Sequence, residues 1–353
     1  MISSLRVAFI RPWTHAQLFR HSAKNLSTKA SLQRSYLYVP TSSDRMLEKS
    51  ITASSDVIIY DLEDSISPAP EDKYSARTRL KKFLEEQQER LKPLHVAVRV
   101  NGVTTPYFHD DIYQIISQPI IQSIILPKIH SSTDLDLVSD AVALSRKSLN
   151  KRTLQIIPSI ESARGMWNLG SIAGWASAHG SIKGGSLTAL LFAAEDYCAD
   201  TSIIRTPSRR ELLFTRSQIV IAAKAFSLEA IDMVCVDFRN LNILKDECVD
   251  GRQLGFTGKQ AIHPSQVAVI NSTYVPSQEE IERASKIIQA MKLAHKSQKG
   301  AADLDGKMID APMIKQESIL DSRVAVCNFN ISTIQAQRSL DIAASAGLEI
   351  PNW

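Results

Sequence analysis

Short apolar runs that each end in a charged residue are the feature that most constrains this chain. Stretches such as VIIY, VAV, IILP, LQIIPSI and LLFAA are each followed directly by an acid or a base. The residues that close these runs are Asp61, Arg99, Lys128, Glu161, Glu195 and Asp196. Such a run resembles one strand of a (β/α)8 barrel, in which catalytic groups collect at the carboxyl ends of the strands. The pattern therefore predicts the location of the chemistry as well as the fold.

Apolar runs alternate with amphipathic stretches of helical period from residue 35 onward, which is typical of βα units and a parallel sheet. Eight runs fit a closed barrel better than an open sheet. We therefore predict an α/β protein with a TIM (β/α)8 barrel and a C-terminal extension. The predicted strands are 35–39, 56–61, 95–100, 123–128, 154–160, 187–193, 230–237 and 258–262.

Helix-start signals lie between the predicted strands. Ser43 and Asp44 precede one short helix, and Ser277 with Glu280 forms a capping box for a helix that runs to about Lys296. Two further helices are predicted after residues 131–134 and over 207–226.

Four segments are expected along the chain. Residues 1–34 form a targeting segment, 35–297 the barrel, 298–325 a C-terminal active-site segment, and 326–353 a tail with helical periodicity. The third segment carries the compact stretch MIDAP, which suits either folding over a barrel mouth or packing on a neighbouring subunit.

The net charge of +4 comes from the first segment. Six of the 41 Lys and Arg residues fall within 1–34, whereas the first acidic residue is Asp44, so the rest of the chain is slightly acidic. This distribution argues against a nucleic-acid-binding surface. The acid-free, Arg-bearing leader resembles a mitochondrial transit peptide, and the alternative is a disordered basic N-terminus. No apolar run approaches the roughly 20 residues of a membrane span, so none is expected.

Two carboxylates follow neighbouring predicted strands. Glu161 lies in PSIESARG and Asp196 in AAEDY, directly after the fifth and sixth strands. Oxygen ligands of this kind suit Mg²⁺, which takes one or two protein carboxylates and leaves positions for substrate oxygens. The sequence therefore predicts a magnesium site, with structural ion pairs at helix starts as the alternative.

Arg99 closes the third predicted strand, in VRVN. Its planar donor fork suits two-point binding of a carboxylate or an enolate oxygen. Glu63 and Asp64, after the second strand, are expected to orient it.

Several longer motifs occur together in a recognisable order. They resemble those of the citrate lyase beta-subunit-like enzymes of the HpcH/HpaI aldolase superfamily over about residues 35–320. The motifs are LYVPTSSDR, YDLEDSI, VRVNG, ILPKI, IPSIESARG, AAEDY, AIDMVCVDF, GFTGKQAIHPSQ and MIDAP. The resemblance implies a TIM barrel, one Mg²⁺, an acyl-CoA substrate and a homotrimer.

Site residues follow from the same resemblance. Glu161 and Asp196 match the magnesium ligands, Arg99 matches the substrate-binding arginine, and Asp310 matches a catalytic acid that reaches across from a neighbouring subunit. Further positions match residues that contact the CoA substrate: Tyr38, Arg45, Lys49, Ile262 and His263.

Three motifs depart from the family pattern. Arg45 replaces a usual lysine, LEDSI replaces the frequent LEDGV, and AAED replaces GGED. The first change keeps the charge but alters its geometry, and the others remove glycines near the predicted metal. None removes a predicted ligand.

The activity implied by the resemblance is cleavage of (3S)-citramalyl-CoA to acetyl-CoA and pyruvate by a retro-Claisen reaction. Asp310 is then the candidate for proton transfer at the enolate carbon. The alternatives are a malate synthase-type condensation of acetyl-CoA with glyoxylate, and cleavage of another malyl- or citryl-CoA ester. A non-catalytic CoA-ester binding protein is the alternative from a different class.

Overall fold

The computed structural model describes residues 32–145, 152–297, 301–304, 307–310 and 331–351. Nearly all of the predicted targeting segment, 1–34, lies outside these residues, as do 311–330 within the C-terminal part of the chain.

Nine parallel strand segments form a closed barrel with eight strand positions. We call each of these eight positions a stave. Each stave pairs with the next along the chain, and the last strand pairs with the first. The strands are β1 (Ser35–Pro40), β2 (Val57–Asp61), β3 (His95–Arg99), β4 (Ile121–Leu126), β5 (Gln155–Ile160), β6 (Ser186–Leu187), β7 (Ala189–Phe192), β8 (Glu229–Asp232) and β9 (Gly258–Ala261). Both β6 and β7 pair with β5, so together they make the sixth stave. The predicted TIM barrel is confirmed.

Helices connect the staves and continue beyond them. Up to the fifth stave they are α1 (Asp44–Ser50), α2 (Pro70–Glu86), α3 (Gln88–Leu91), α4 (Phe108–Ile115) and α5 (Ser132–Ser145). After it come α6 (Ala163–Trp167), α7 (Leu169–Ala173), α8 (Gly180–Gly184), α9 (Ala194–Thr201), α10 (Leu213–Ala225), α11 (Leu241–Leu254), α12 (Val267–Thr273), α13 (Gln278–Lys296) and α14 (Ile331–Ala346). Short 3₁₀ turns at 210–212 and 264–266 precede α10 and α12. No helix among these residues is long and apolar enough to cross a membrane.

Three strand predictions are wrong in detail. The fourth was predicted over 123–128, but β4 spans Ile121–Leu126 and ends before Lys128. The seventh was predicted over 230–237, but β8 ends at Asp232, whose carboxylate accepts a hydrogen bond from the amide of Met233 and ends the extended run. Beyond it, Met233 and Cys235 are buried in a loop while Val236 is exposed, and Gln266 donates to the carbonyl of Cys235. The sixth is interrupted at Thr188.

Both faces of the barrel strands are buried, which explains their nearly unbroken apolar sequences. Ile59, Ile125 and Ile157 pack in the barrel interior, whereas neighbours such as Ile58 and Ile124 pack in the larger cluster between strands and helices. The charged side chains of the barrel strands lie at strand ends, except for Lys259, which is buried within β9.

The C-terminal part of the chain contains a helix pair and a hairpin. The predicted capping box at the start of α13 is confirmed, because Ser277 and Glu280 exchange main-chain to side-chain hydrogen bonds of 2.7 and 3.2 Å. The tail forms helix α14, as its periodicity predicted, and α14 packs on α13. Strand β10 (Ala301–Leu304) pairs antiparallel with β11 (Lys307–Asp310) and lies beside α13. Asp310 ends β11.

Candidate active site

Arg99 is fixed at the carboxyl end of β3 by the strand beside it. Its Nε and Nη2 donate to the two carboxylate oxygens of Asp61 over 2.7 and 2.6 Å. The guanidinium lies 4.8 Å from the ring centre of Tyr38. Burial opposes ionisation of Asp61, but its bonds with Arg99 outweigh burial and hold the pKa of the carboxyl below its usual value. The pair is therefore ionised, and the guanidinium plane has a fixed orientation.

Glu63 and Asp64 contact Nη1, the guanidinium nitrogen of Arg99 that does not bond to Asp61. Each places a carboxylate oxygen 3.1 Å from Nη1, and the other oxygen of Glu63 lies 3.0 Å from Nζ of Lys128. Lys73 donates to the carbonyl of Glu63 over 2.7 Å, which holds the loop after β2. Burial raises the pKa of Glu63, partly offset by Arg99.

Glu161 and Asp196 follow paired strands. Ile160 of β5 is in register with Phe192 of β7, so the residues after them share one sector of the barrel mouth. Glu161 is 7% exposed, and Asp196 lies in the first turn of α9. Burial, followed by repulsion from Asp196 and Glu63, raises the pKa of Glu161 to about 8. Burial and repulsion from Asp64 likewise raise the pKa of Asp196.

The mouth cluster has an excess of negative charge. We define it as Asp61, Glu63, Asp64, Arg99, Lys128, Glu161 and Asp196. Its acids outnumber its bases even when Lys73 is included, and a bound cation would relieve the cost of ionising Glu161.

Carboxylate oxygens are the ligands that Mg²⁺ prefers. Within the described residues, no group of three or more His, Cys, Asp or Glu is arranged to hold a metal ion. Two carboxylates, Glu161 and Asp196, could hold an ion whose remaining coordination positions are filled by water or substrate oxygens. Such an ion needs no third protein ligand, so the donor set fits Mg²⁺.

Tyr38 lies in the mouth beneath Arg99. Its hydroxyl donates to Gln260 Oε1 over 3.1 Å, and Gln260 in turn donates to the carbonyls of Phe192 and Asp232 over 2.8 and 3.0 Å. Gln260, which lies on β9, therefore links its own strand to β1, β7 and β8 beneath the cluster.

Ile262 and His263 follow β9 and are exposed. The ring of His263 stacks on Phe238, with 5.0 Å between ring centres, and its Nδ1 caps the following 3₁₀ turn by accepting from the amide of Ser265. His263 thus has a local structural role, and it presents a ring face beside the loop after β8.

Arg45 and Lys49 lie four residues apart on α1, so both point to the same side of this helix, and both are exposed. No ion pair among the described residues involves either side chain. Asp310 is placed only as the last residue of β11, and the structure does not describe its side chain.

Sequence reasoning missed three residues of this site. Asp61, not Glu63 or Asp64, makes the two-point contact with Arg99; Lys128 joins two acids; and Gln260 anchors Tyr38. The signal for Asp61 and Lys128 was present, since both close apolar runs.

Comparison with known proteins finds relatives that are enzymes acting on CoA esters. Human mitochondrial citramalyl-CoA lyase is 33% identical over 286 residues, which covers 80% of this chain and 83% of that protein. A (3S)-malyl-CoA thioesterase from Cereibacter sphaeroides is 33% identical over 279 residues, covering 78% of this chain and 89% of that one.

A solved structure and a family match also relate this chain to the citrate lyase enzymes. CitE from Mycobacterium tuberculosis, crystallised with magnesium, acetoacetate and coenzyme A, superposes with a TM-score of 0.65 at 25% identity, covering 91% of this chain and all of that one. Residues 34–264 match the family described as HpcH/HpaI aldolase/citrate lyase. The chain therefore belongs to the HpcH/HpaI aldolase/citrate lyase family.

Proposed function

We propose that this protein is a Mg²⁺-dependent lyase that cleaves (3S)-citramalyl-CoA to acetyl-CoA and pyruvate. A CoA-ester lyase is the enzyme type that its relatives support. The observation that carries the proposal is the mouth cluster, in which two carboxylates with raised pKa values, Glu161 and Asp196, share one end of the barrel with the fixed guanidinium of Arg99. This arrangement suits a metal-bound substrate whose negative charge grows during reaction.

Glu161 and Asp196 would hold the ion in this mechanism. When bound, Mg²⁺ supplies Lewis-acid stabilisation of a substrate oxygen, worth several kcal/mol. The presence of magnesium in the related CitE crystal supports this assignment.

Arg99 stabilises negative charge as the carbon–carbon bond breaks. The tertiary hydroxyl gives its proton to solvent water and becomes the keto group of pyruvate, while the electron pair of the broken carbon–carbon bond passes to the acetyl carbon and forms the acetyl-CoA enolate. Because Asp61 already fixes the guanidinium, little reorganisation is needed when this charge develops. Asp310 then delivers a proton to the enolate carbon, which completes acetyl-CoA.

The CoA portion is assigned to the exposed rim. Arg45 and Lys49 offer two cations on one side of α1 for its phosphates, and Ile262 and His263 offer an exposed surface after β9. Coenzyme A in the related CitE crystal supports this part of the proposal.

A 3-hydroxyacyl-CoA ester without the methyl group is the second candidate substrate. The similarity to a (3S)-malyl-CoA thioesterase favours it. One methyl group in an apolar pocket changes binding by only about 1–3 kcal/mol, so the mouth cluster suits both esters.

The test is a side-by-side assay of the purified protein with citramalyl-CoA, malyl-CoA and citryl-CoA, each with Mg²⁺ and with a chelator. We expect the highest kcat/KM for citramalyl-CoA and loss of activity with chelator. Higher kcat/KM for malyl-CoA would select the second candidate, and no cleavage of any ester with Mg²⁺ would refute the lyase.

A mitochondrial location is part of the proposal. The acid-free basic leader supports it, as does the mitochondrial designation of the human relative. Fluorescent fusions of the full chain should colocalise with mitochondria. Fusions in which Arg6, Arg11 and Arg20 are replaced by Asn should not, and equal import of both would contradict the assignment.

A further inference from the structure

Lys128 has a backbone conformation that its side chain disfavours. It follows β4 with a φ of +57°, in the left-handed region that glycine adopts without the steric cost of a Cβ. A conformation of this kind persists where the surrounding structure over-determines it, and such positions cluster at active sites. Both its main chain and its side chain contact members of the mouth cluster.

The main chain of Lys128 contacts Glu161. Its amide donates to Glu161 Oε1 over 2.7 Å across two neighbouring strand ends. Because φ is the rotation between this amide and the rest of Lys128, a negative φ would require turning either the peptide plane that carries the amide or the chain that follows, so the left-handed conformation and the bond to Glu161 are linked.

The side chain of Lys128 contacts Glu63 from the opposite side. Nζ lies 3.0 Å from Glu63 Oε1, whereas Nη1 of Arg99 lies 3.1 Å from Oε2. The lysine stem passes beside Gly102, where even a Cβ would lie 3.6 Å from Lys128 Cδ. Glu63 is thus held between two cations, and its position limits the movement of Arg99.

We propose that Lys128 is a positioning residue that orients both halves of the mouth cluster, with its amide fixing Glu161 and its ammonium fixing Arg99 through Glu63. The two contributions are separable, because any residue other than proline keeps the amide and only lysine supplies the ammonium. The inference rests on the proposed function, since Glu161 acts there as a metal ligand.

The main-chain contribution is tested by Mg²⁺ titration calorimetry on Lys128→Gly and Lys128→Val. Glycine accepts a positive φ and valine resists it. We expect the dissociation constant for Mg²⁺ to stay within about threefold of wild type in K128G and to rise about tenfold or more in K128V. Equal affinities in the two variants would overturn this half of the inference.

Ser227 supplies the matched control. It also has a positive φ, of +58°, but it lies between α10 and β8, at the amino end of the barrel. S227G and S227V should change the melting temperature in the same direction as the Lys128 pair while leaving Mg²⁺ affinity unchanged. A similar loss of Mg²⁺ affinity in S227V would show that general strain, not the bond to Glu161, explains K128V.

The side-chain contribution is tested by a double-mutant cycle with Lys128→Met and Glu63→Gln, which does not depend on the folding of K128V. We expect K128M to lower kcat about tenfold with Mg²⁺ affinity retained, and the double variant to have a kcat within about threefold of that of E63Q, because the ammonium of Lys128 acts through Glu63 and loses its effect once that charge is removed. Two results would overturn the positioning role: a double variant whose loss of kcat equals the product of the two single losses, or a K128M enzyme as active as wild type.

Failure of the proposed function has a different signature from failure of this inference. If wild type neither binds Mg²⁺ nor cleaves any of the three esters, the function itself is wrong. If wild type does both and the Lys128 variants behave as wild type, only the role of Lys128 is wrong.

Discussion

Asp61 and Arg99 are register partners in the ladder between β2 and β3, and their side chains form a two-point ion pair with distances of 2.7 and 2.6 Å. The barrel therefore builds this pair into its own hydrogen-bonding register. A second two-point pair, Arg34 with Asp56, joins the amino ends of β1 and β2 at 2.7 and 2.9 Å. The two pairs share this two-point geometry and occupy opposite ends of the barrel.

This symmetry gives a controlled test of Arg99 orientation. Asp61→Asn should lower kcat/KM by about 100-fold, because a guanidinium that is no longer fixed stabilises developing charge less well. Asp56→Asn should leave kcat/KM nearly unchanged, while both variants lose about 1–3 kcal/mol of unfolding free energy in urea. Equal kinetic losses in the two variants would contradict a role specific to the mouth.

His95 predicts an acid-sensitive stability. Burial at the amino end of β3 lowers the pKa of its imidazole to about 4, from 6.5 in the unfolded chain. The unfolded state then binds more protons than the native state between these values, so stability falls as the pH falls from about 6.5 to about 4. The shift corresponds to about 3 kcal/mol at most.

Urea unfolding of wild type and His95→Gln at pH 7.0 and pH 4.5 measures this contribution. The variant retains a polar group opposite Ser123, whose hydroxyl lies 2.6 Å from His95 Nε2. Its unfolding free energy should fall less between the two pH values. Parallel losses in both proteins would show that His95 is not the titrating group.

The proposed proton transfer by Asp310 is tested on the hairpin of β10 and β11. Asp310→Asn should lower kcat by at least about 100-fold with KM within about threefold, as expected for loss of an acid–base group. Asp303→Asn, on the paired strand β10, is the control and should keep wild-type turnover. Unchanged turnover in D310N would exclude the role.

The homotrimer that the family resemblance implies can be tested with the same variant. If Asp310 acts in the barrel of a neighbouring subunit, unfolding and refolding D310N together with Asp196→Asn should restore activity, because some mixed trimers contain one complete site. No recovery in mixtures that light scattering shows to be trimeric would place Asp310 in the barrel of its own chain.

The barrel was predictable because both faces of its strands are buried. Each strand therefore appears in the sequence as a nearly unbroken run of apolar residues. The same logic failed after Asp232, because Met233 and Cys235 are as buried as strand residues but lie in a loop. The sequence predicted that Met233 and Cys235 are buried, but it did not show that their backbone lacks the ladder hydrogen bonds of a strand.

For the candidate site, the sequence predicted that the functional side chains lie at the carboxyl ends of strands, but not which of these side chains contact one another. Three acids follow or end β2, and the sequence does not distinguish which one meets Arg99; the register between β2 and β3 selects Asp61. The role of Lys128 depends on a positive φ and on the reach of its amide to Glu161, neither of which leaves a sequence signal for a residue other than glycine.

The central claim is that Glu161 and Asp196 together bind Mg²⁺, and calorimetric Mg²⁺ titration of wild type, Glu161→Gln and Asp196→Asn tests it most directly. Near pH 8 the wild type should bind one Mg²⁺ per chain with release of a fraction of a proton, since the pKa of Glu161 is raised to about 8 in the metal-free protein. Both variants should retain native circular dichroism and lose binding by at least about tenfold. Wild-type affinity in either variant would contradict the account.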